Sequence, residues 1–178
     1  MKIGIDVSQL AYPNTGVANY LQSLVKNLVK IDNKNEYTLF FASLRKEFPI
    51  SNFQFLANNP RVKIKKFKLP PTLLDILWNK LHILPIENLI GPVDIFITSD
   101  WTEPPVKLAK KATILYDLIV YKYPKETAQK IVDVQKRKLK WAKKESSMFF
   151  CISQSTAQDA KEILGIEENR LSVATPGF

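Results

Sequence analysis

Residues 2–29 have the sequence KIGIDVSQLAYPNTGVANYLQSLVKNLV, which carries the clearest structural pattern of the chain. Residues 2–7 are short and rich in β-branched side chains, which is typical of a strand. Residues 8–15 contain a Pro-Asn pair and are typical of a loop. Apolar residues then recur from Val17 to Val29 at helical spacing. The stretch therefore predicts a strand, a loop and a helix in that order.

Strand and helix patterns alternate through the rest of the chain. Further strands are predicted at residues 37–42, 61–67, 94–98, 112–116, 148–152 and 171–174. Further helices are predicted at residues 73–90, with an interruption at Pro85, at 126–144 and at 156–164. Strands that alternate with helices pair in parallel through right-handed crossovers. We therefore expect one α/β domain over residues 1–178. Its sheet should be doubly wound, mostly parallel and Rossmann-like, with about six or seven strands and helices on both faces.

Two local patterns refine this prediction. Lysines alternate with Val62 and Ile64, which indicates an exposed strand near an edge of the sheet. Ser155 and Gln158 have the spacing of a capping box, and Gly165 stands where helices commonly end in a left-handed residue. The last helix is therefore expected to begin after Ser155 and to end before Gly165.

Composition excludes several classes of protein. One cysteine, Cys151, and one histidine, His82, exclude an internal disulfide and the usual zinc site. No stretch approaches the ~18 apolar residues of a membrane span. Asp6 interrupts the apolar run at the start of the chain, so we interpret that run as a strand and not as a targeting peptide. The net charge of +9 favours an anionic neighbour such as nucleic acid, an acidic lipid surface or a phosphorylated small molecule.

The positive charge is concentrated in two clusters. One lies in the predicted helix 126–144 and consists of Lys136, Arg137, Lys138, Lys140, Lys143 and Lys144. The other lies on or beside the predicted strand 61–67 and consists of Arg61, Lys63, Lys65, Lys66 and Lys68. Such charges are typical of a solvated face, and they also suit docking to an anionic membrane at ~1 kcal/mol per well-placed cation. No recognised nucleic-acid motif accompanies them, so no nucleic-acid partner is expected.

Candidate binding residues follow the predicted strands, because open parallel sheets bind ligands at the carboxyl ends of their strands. Asp100, Glu103 and Asp117 can supply a general base or hydrogen-bond acceptors, and each also suits a loop or capping role. Trp101 can stack on a sugar face or pack internally. Ser153 can bind a ligand or cap the helix that follows it.

Gly16 opens the first predicted helix, where free backbone N–H groups suit a phosphate or a sugar hydroxyl. An ordinary turn glycine explains the same residue equally well. The single glycine is not a G-x-G-x-x-G fingerprint, so a standard nicotinamide dinucleotide site is excluded.

Taken in order, several stretches resemble the N-terminal domain of the family 4 (group 1) glycosyltransferases. The matching stretches are GIDVSQLAYPNTGVANYLQSLVKNL (4–28), DIFITSDWTEPP (94–105), ILYDLIVYKYP (114–124), KRKLKWAKKESSMFFCISQSTAQDAKEILGI (136–166) and VATPGF (173–178). The resemblance implies a GT-B fold, in which two Rossmann-like domains face each other across a cleft. Such enzymes transfer a sugar from a nucleotide-diphosphate sugar to an acceptor, with retention at the anomeric carbon and without a metal or other cofactor.

In this family the N-terminal domain chiefly binds the acceptor, and the C-terminal domain holds most of the nucleotide-sugar site. No stretch of residues 1–178 corresponds to that second domain. The resemblance therefore implies the acceptor-side domain of a hexosyltransferase-type enzyme that is inactive as this fragment. Its expected partners are the C-terminal domain, the nucleotide sugar and a glycan or lipid-linked acceptor. The expected role is cytoplasmic polysaccharide biosynthesis, and a lipid-linked acceptor would be compatible with peripheral contact at the inner face of an anionic membrane.

The resemblance also assigns roles to individual positions. Asn14, Thr15 and Gly16 would approach the diphosphate and sugar of the donor. Ser153 would sit near the cleft beside the acceptor, and Asp100, Trp101 and Glu103, which follow a predicted strand, are further candidates for substrate binding. The catalytic candidates are Tyr116 and Asp117, and Pro176-Gly177 would begin the linker to the second domain.

The chain departs from the family pattern at Tyr116, where many members have a histidine that contacts the donor sugar, and near Ile97, where a second histidine is common. A phenol can donate a hydrogen bond but does not take up a proton near neutral pH. A non-catalytic module that binds a sugar or a lipid-linked sugar would fit this loss of histidines. A basic protein that binds membrane or nucleic acid would fit the net charge of +9.

Overall fold

The computed structural model describes residues 1–56 and 59–177, and its centre is a single parallel sheet. The strands are β1 (Lys2–Asp6), β2 (Glu36–Ala42), β3 (Val62–Phe67), β4 (Ile95–Thr98), β5 (Lys110–Leu115), β6 (Ser146–Cys151) and β7 (Leu171–Val173). They lie in the order β3-β2-β1-β4-β5-β6-β7, and every neighbouring pair is parallel. The predicted doubly wound sheet is confirmed, and the lysine-rich strand β3 lies at its edge as expected.

Helices cover both faces of this sheet. They are α1 (Gly16–Ile31), α2 (Pro71–Leu74), α3 (Glu87–Ile90), α4 (Ile119–Lys122), α5 (Gln129–Glu145) and α6 (Gln154–Leu164). Side chains of neighbouring strand residues point to opposite faces. Leu39 of β2 belongs to the same core cluster as Leu21 of α1, whereas Phe40 packs with Trp78 in a second cluster, with ring centroids 5.5 Å apart. Consecutive apolar residues of β2 therefore point to opposite faces of the sheet, and each face is covered by helical segments.

Residues 73–90 differ most from the predicted structure. A mostly helical segment interrupted at Pro85 is expected there, but α2 continues as a π-helix (Asp75–Lys80) and helical geometry is lost well before Pro85. His82 and Leu84 have φ angles of 53° and 64°, and the Leu84 carbonyl accepts a 2.9 Å hydrogen bond from Trp78 Nε1. This bond satisfies the indole N–H of Trp78, which is completely buried, so burial of one large side chain reorganises the segment.

The start of α6 also corrects a prediction. The N-cap is Ser153, whose Oγ accepts a 3.0 Å hydrogen bond from the N–H of Thr156, and not Ser155 as the capping-box spacing suggested. The side chain of Gln158 instead donates to Glu162 within the helix. At the other end Gly165 is left-handed with φ 63°, as expected.

Candidate functional site

A cleft of about 530 Å³ opens at the carboxyl ends of β1, β2 and β4. The chain runs from β1 to the β3 edge of the sheet, whereas β4 to β7 extend on the other side of β1. The strand order therefore reverses between β1 and β4, and doubly wound sheets bind ligands at such a reversal. The lining residues from the β1, β2 and α1 region are Asp6, Ser8, Gln9, Tyr12, Thr15, Val17 and Ala42. Those from α2, the loop after β4 and α5 are Pro71, Thr72, Leu74, Asp75, Asp100, Trp101, Thr102, Lys130 and Val134.

Asp6 is the last residue of β1 and is a lining residue that the sequence interpretation missed. It is only 4% exposed, and its Oδ1 accepts a 2.9 Å hydrogen bond from the N–H of Ser8. Burial raises the pKa of Asp6 to about 6, against the lowering effect of the Ser8 hydrogen bonds and the charge of Lys138. A carboxylate that ends an otherwise apolar strand is the signal that could have identified it.

Asp100 and Trp101, two predicted substrate residues, line the cleft from the loop after β4. Gln135 of α5 donates a 3.1 Å hydrogen bond to Asp100 Oδ1, and burial raises the pKa of Asp100 above its ordinary value. The carbonyl oxygen of Trp101 accepts a 2.9 Å hydrogen bond from Asn79. Both residues are thus held in place by helices that pack over the sheet.

The N-terminus of α1 contributes the predicted donor-side residues. Thr15 lines the cleft and caps the helix, because its Oγ1 accepts a 3.2 Å hydrogen bond from the N–H of Ala18. Asn14 precedes it in a left-handed conformation with φ 69°. A Cβ on Gly16 would meet no described atom within 4 Å, so the space beside Gly16 is open.

Tyr116, Asp117 and Ser153 follow β5 and β6 along the same edge of the sheet but do not line the cleft. Tyr116 is 9% exposed, and its hydroxyl lies 3.2 Å from Ser99 Oγ; burial raises its pKa above the ordinary value. Asp117 is exposed and accepts a 3.0 Å hydrogen bond from the N–H of Ile119. Ser153 caps α6 as described above. The structure therefore divides the predicted residues into a cleft group and a group beside it.

Glu103, the remaining predicted substrate residue, is completely buried below the cleft. Its Oε1 lies 3.0 Å from Nζ of Lys111, its Oε2 accepts a 2.8 Å hydrogen bond from Thr98, and Lys138 Nζ is 3.9 Å away. With no exposed surface, Glu103 stabilises the loop after β4 and does not face a ligand in this conformation.

Lys138 corrects the expectation that the basic run of α5 forms a solvated face. Its side chain is 2% exposed, and burial lowers its pKa although Glu103 and Asp100 lie nearby. Arg137 pairs with Asp75 at 2.8 Å, whereas Lys140 and Lys144 remain exposed, with their Nζ atoms 6.0 Å and 5.2 Å from the ring centroid of Trp141. A run of like charges in the sequence does not reveal which lysine points toward the sheet.

Charged contacts run from Lys138 through Glu103 and Lys111 to Glu145, and we call these four side chains the buried network. His82 lies at its Glu145 end. Its ring stacks on Trp141 with centroids 3.6 Å apart, and its Nε2 lies 2.7 Å from Oε1 of Glu145. Glu145 also accepts a 2.9 Å hydrogen bond from Lys111, so the single histidine of the chain takes part in packing and not in the cleft. In residues 1–56 and 59–177 no three His, Cys, Asp or Glu side chains converge as a metal site would require.

None of the described helices has both the length and the apolar composition to cross a bilayer. No protein-family model and no curated protein matches the chain, so the residues of the cleft are the basis for inferring its function.

Proposed function

We propose that this chain is the acceptor-side domain of a nucleotide-sugar-dependent glycosyltransferase, and that the acceptor binds in the cleft between β1 and β4. The observation that supports this most is the position of the cleft at the reversal of strand order. Thr15, which the resemblance assigns to the donor side, lines it together with Asp100 and Trp101, which were expected to bind a ligand because they follow a predicted strand.

The chemistry of the lining supports a sugar as the ligand. Carboxylates accept hydrogen bonds from hydroxyl groups, and threonine hydroxyls can donate or accept them. Tyr12 and Trp101 offer aromatic surface for the apolar C–H face of a sugar ring. Ligand sites of this size commonly combine apolar surface with a few placed polar groups.

The donor diphosphate is proposed to lie outside the acceptor cleft, at the N-terminus of α1 beside Gly16. The unpaired N–H groups and the dipole at a helix N-terminus favour an anion such as a diphosphate, and no described atom lies within 4 Å of a Cβ placed on Gly16. Tyr116 would donate a hydrogen bond to the sugar only after its phenol, which is buried outside the cleft, leaves its 3.2 Å contact with Ser99 Oγ. Asp117 and Ser153, on the same edge, would face the domain that carries the donor.

The isolated chain is expected to bind acceptor-type glycosides but neither to bind a nucleotide sugar tightly nor to turn it over. Transfer requires donor and acceptor to be held in near-attack contact, and one wall of an active site does not achieve this. Calorimetry with octyl β-D-glucoside, below its micelle concentration, and with UDP-glucose measures both affinities, and release of UDP measures turnover. Saturable binding of the glucoside alone is expected. Absence of glucoside binding, or robust turnover by the 178-residue protein, would contradict the proposal.

We further propose a cytoplasmic protein that contacts the inner face of an anionic membrane. Four apolar side chains beside the cleft are exposed on the segment that follows β3, namely Leu73, Ile76, Leu81 and Ile83. Lys80 lies on the same segment, and Lys140 and Lys144 lie over Trp141, whose indole N–H bonds to Asn79. Apolar groups flanked by lysines suit the surface of an anionic bilayer.

Co-sedimentation with vesicles tests this contact. We expect binding to vesicles that contain phosphatidylglycerol, weakened by salt, and little binding to pure phosphatidylcholine. The exposed substitution Leu81→Asp should weaken it, and equal binding to both kinds of vesicle would argue against an electrostatic membrane contact.

A further inference from the structure

We propose, on the basis of the acceptor-binding function proposed above, that the cleft selects an uncharged acceptor in which a hydroxyl group adjoins an apolar surface. The carboxylate of Asp6 accepts the hydrogen bond from that hydroxyl.

The charges that line the cleft oppose an anionic ligand, although the chain as a whole carries a charge of +9. Asp6, Asp75 and Asp100 contribute carboxylates, and Asp75 is neutralised by Arg137 at 2.8 Å. Among the described lining residues Lys130 is the one cation, and its side chain is exposed to solvent. A phosphate or carboxylate in the cleft would therefore approach Asp6 and Asp100, which are themselves poorly hydrated.

The buried lysines below the cleft do not reverse this preference. Lys138 is 2% exposed and is not a lining residue, and its Nζ lies 3.9 Å from Oε2 of Glu103. Lys111 is completely buried between Glu103 at 3.0 Å and Glu145 at 2.9 Å. Their charges are matched within the buried network, so neither is presented to an anionic ligand.

Apolar side chains form much of the remaining lining. Tyr12 and Val17 come from the β1 side, and Leu74, Trp101 and Val134 come from the helices and the loop on the other side. Burial of apolar surface against them favours a ligand with an aglycone or an exposed C–H face. A small, fully hydrated anion gains nothing from this surface.

Asp6 is positioned for the polar contact. It ends β1, where it pairs with Phe40 of β2, and its Oδ1 is oriented by the N–H of Ser8 at 2.9 Å. The Oγ of Ser8 accepts a 3.1 Å hydrogen bond from the N–H of Ala42, which ties the loop to β2. A hydroxyl that donates to this carboxylate would replace hydration that burial has removed.

The ionisation of Asp6 should make the affinity for a glycoside depend on pH. Its pKa of about 6 reflects burial, with Lys138 of α5 opposing and Glu103 of the loop after β4 reinforcing the rise. The phenol of Tyr116 lies near enough to be affected by its charge. Since the ionised carboxylate is the better acceptor, affinity for a neutral glycoside should fall as pH drops through about 6.

Calorimetric titration of the full chain with octyl glucoside and octyl glucuronide tests the inference, because in the glucuronide a carboxylate replaces the 6-hydroxymethyl group and the rest of the molecule is the same. At pH 7.5 the glucuronide should bind at least about tenfold more weakly, and Asp6→Asn should weaken glucoside binding about tenfold because a charged acceptor becomes a neutral one. Asp133→Asn makes the same charge change on the exposed side of α5, outside the cleft, and should leave both affinities unchanged.

The outcomes separate this inference from the proposed function. Glucuronide affinity equal to or above that of the glucoside, or wild-type glucoside affinity in Asp6→Asn, would overturn the inference and leave glycoside binding intact. Failure of the wild-type chain to bind either probe would overturn the proposed function and the inference with it. If Asp6→Asn does not fold, the wild-type pH titration decides, and a glucoside affinity that is constant between pH 7.5 and 5 would overturn the role of Asp6.

Discussion

Glu103→Gln is expected to lower the free energy of unfolding by about 3 kcal/mol or more, because it leaves buried positive charge without its counter-charge. Lys111 and Lys138 are both within 4 Å of the Glu103 carboxylate, and the side chain of Glu103 has no exposed surface through which water could compensate. The neutral amide would also direct N–H groups toward an ammonium. The effect is measured by urea denaturation with linear extrapolation.

Glu145→Gln is the matched control for this substitution. Glu145 also contacts Lys111, at 2.9 Å, but 25% of its side chain is exposed. Water can therefore replace part of the lost interaction, and the loss of stability should be clearly smaller than for Glu103→Gln. Equal losses of stability in the two variants would show that complete burial of Glu103 does not increase its contribution to the free energy of unfolding.

Asp6→Asn is expected to raise the free energy of unfolding at pH 8 by up to about 3 kcal/mol, the equivalent of the shift of the Asp6 pKa from 3.8 to about 6. Below pH 3.8 the carboxyl is protonated in both the folded and the unfolded state. As pH rises to about 6 the unfolded chain loses this proton first, so the stability that the protonated group contributes is lost. Asparagine avoids the cost of burying a charge.

The pH profile of the two proteins distinguishes a binding residue from a structural one. The advantage of Asp6→Asn in urea unfolding should shrink as pH is lowered toward 4 and should be largest above pH 7. Residues retained for binding often cost stability, so a more stable variant with weaker glycoside binding is the expected combination. A variant that is less stable than wild type at pH 8 would assign Asp6 a structural role.

The parallel sheet could be predicted from the sequence, because most of its strands are short apolar runs separated by clear helical patterns. The sequence was not sufficient for residues 73–90, where the burial of Trp78 and the hydrogen bond to Leu84 override local helical preference. The same limit applies to the start of α6. Ser153 and Ser155 are both acceptable caps, and only the position of β6 decides between them.

Part of the lining of the cleft could be predicted from the sequence, whereas its ligand remains a proposal. Loops that follow parallel strands can be identified from the strand pattern, which placed Thr15, Asp100 and Trp101 correctly at the edge of the sheet that carries the cleft. Whether a charged side chain in such a loop faces solvent, the cleft or the core depends on tertiary packing. Glu103 and Lys138 turned inward, and Asp6, interpreted as a strand residue, proved to line the cleft.

The most direct test of the proposed acceptor site is to locate bound octyl glucoside through the indole N–H signals of the three tryptophans in a ¹⁵N-labelled chain. Trp101 lines the cleft, whereas the indoles of Trp78 and Trp141 donate to Leu84 and Asn79 and do not line it. The variant Trp101→Phe assigns the signal. We expect the Trp101 signal to shift progressively to saturation while the other two stay in place. A shift confined to Trp141, or no shift of Trp101 at saturating glucoside, would contradict acceptor binding between β1 and β4.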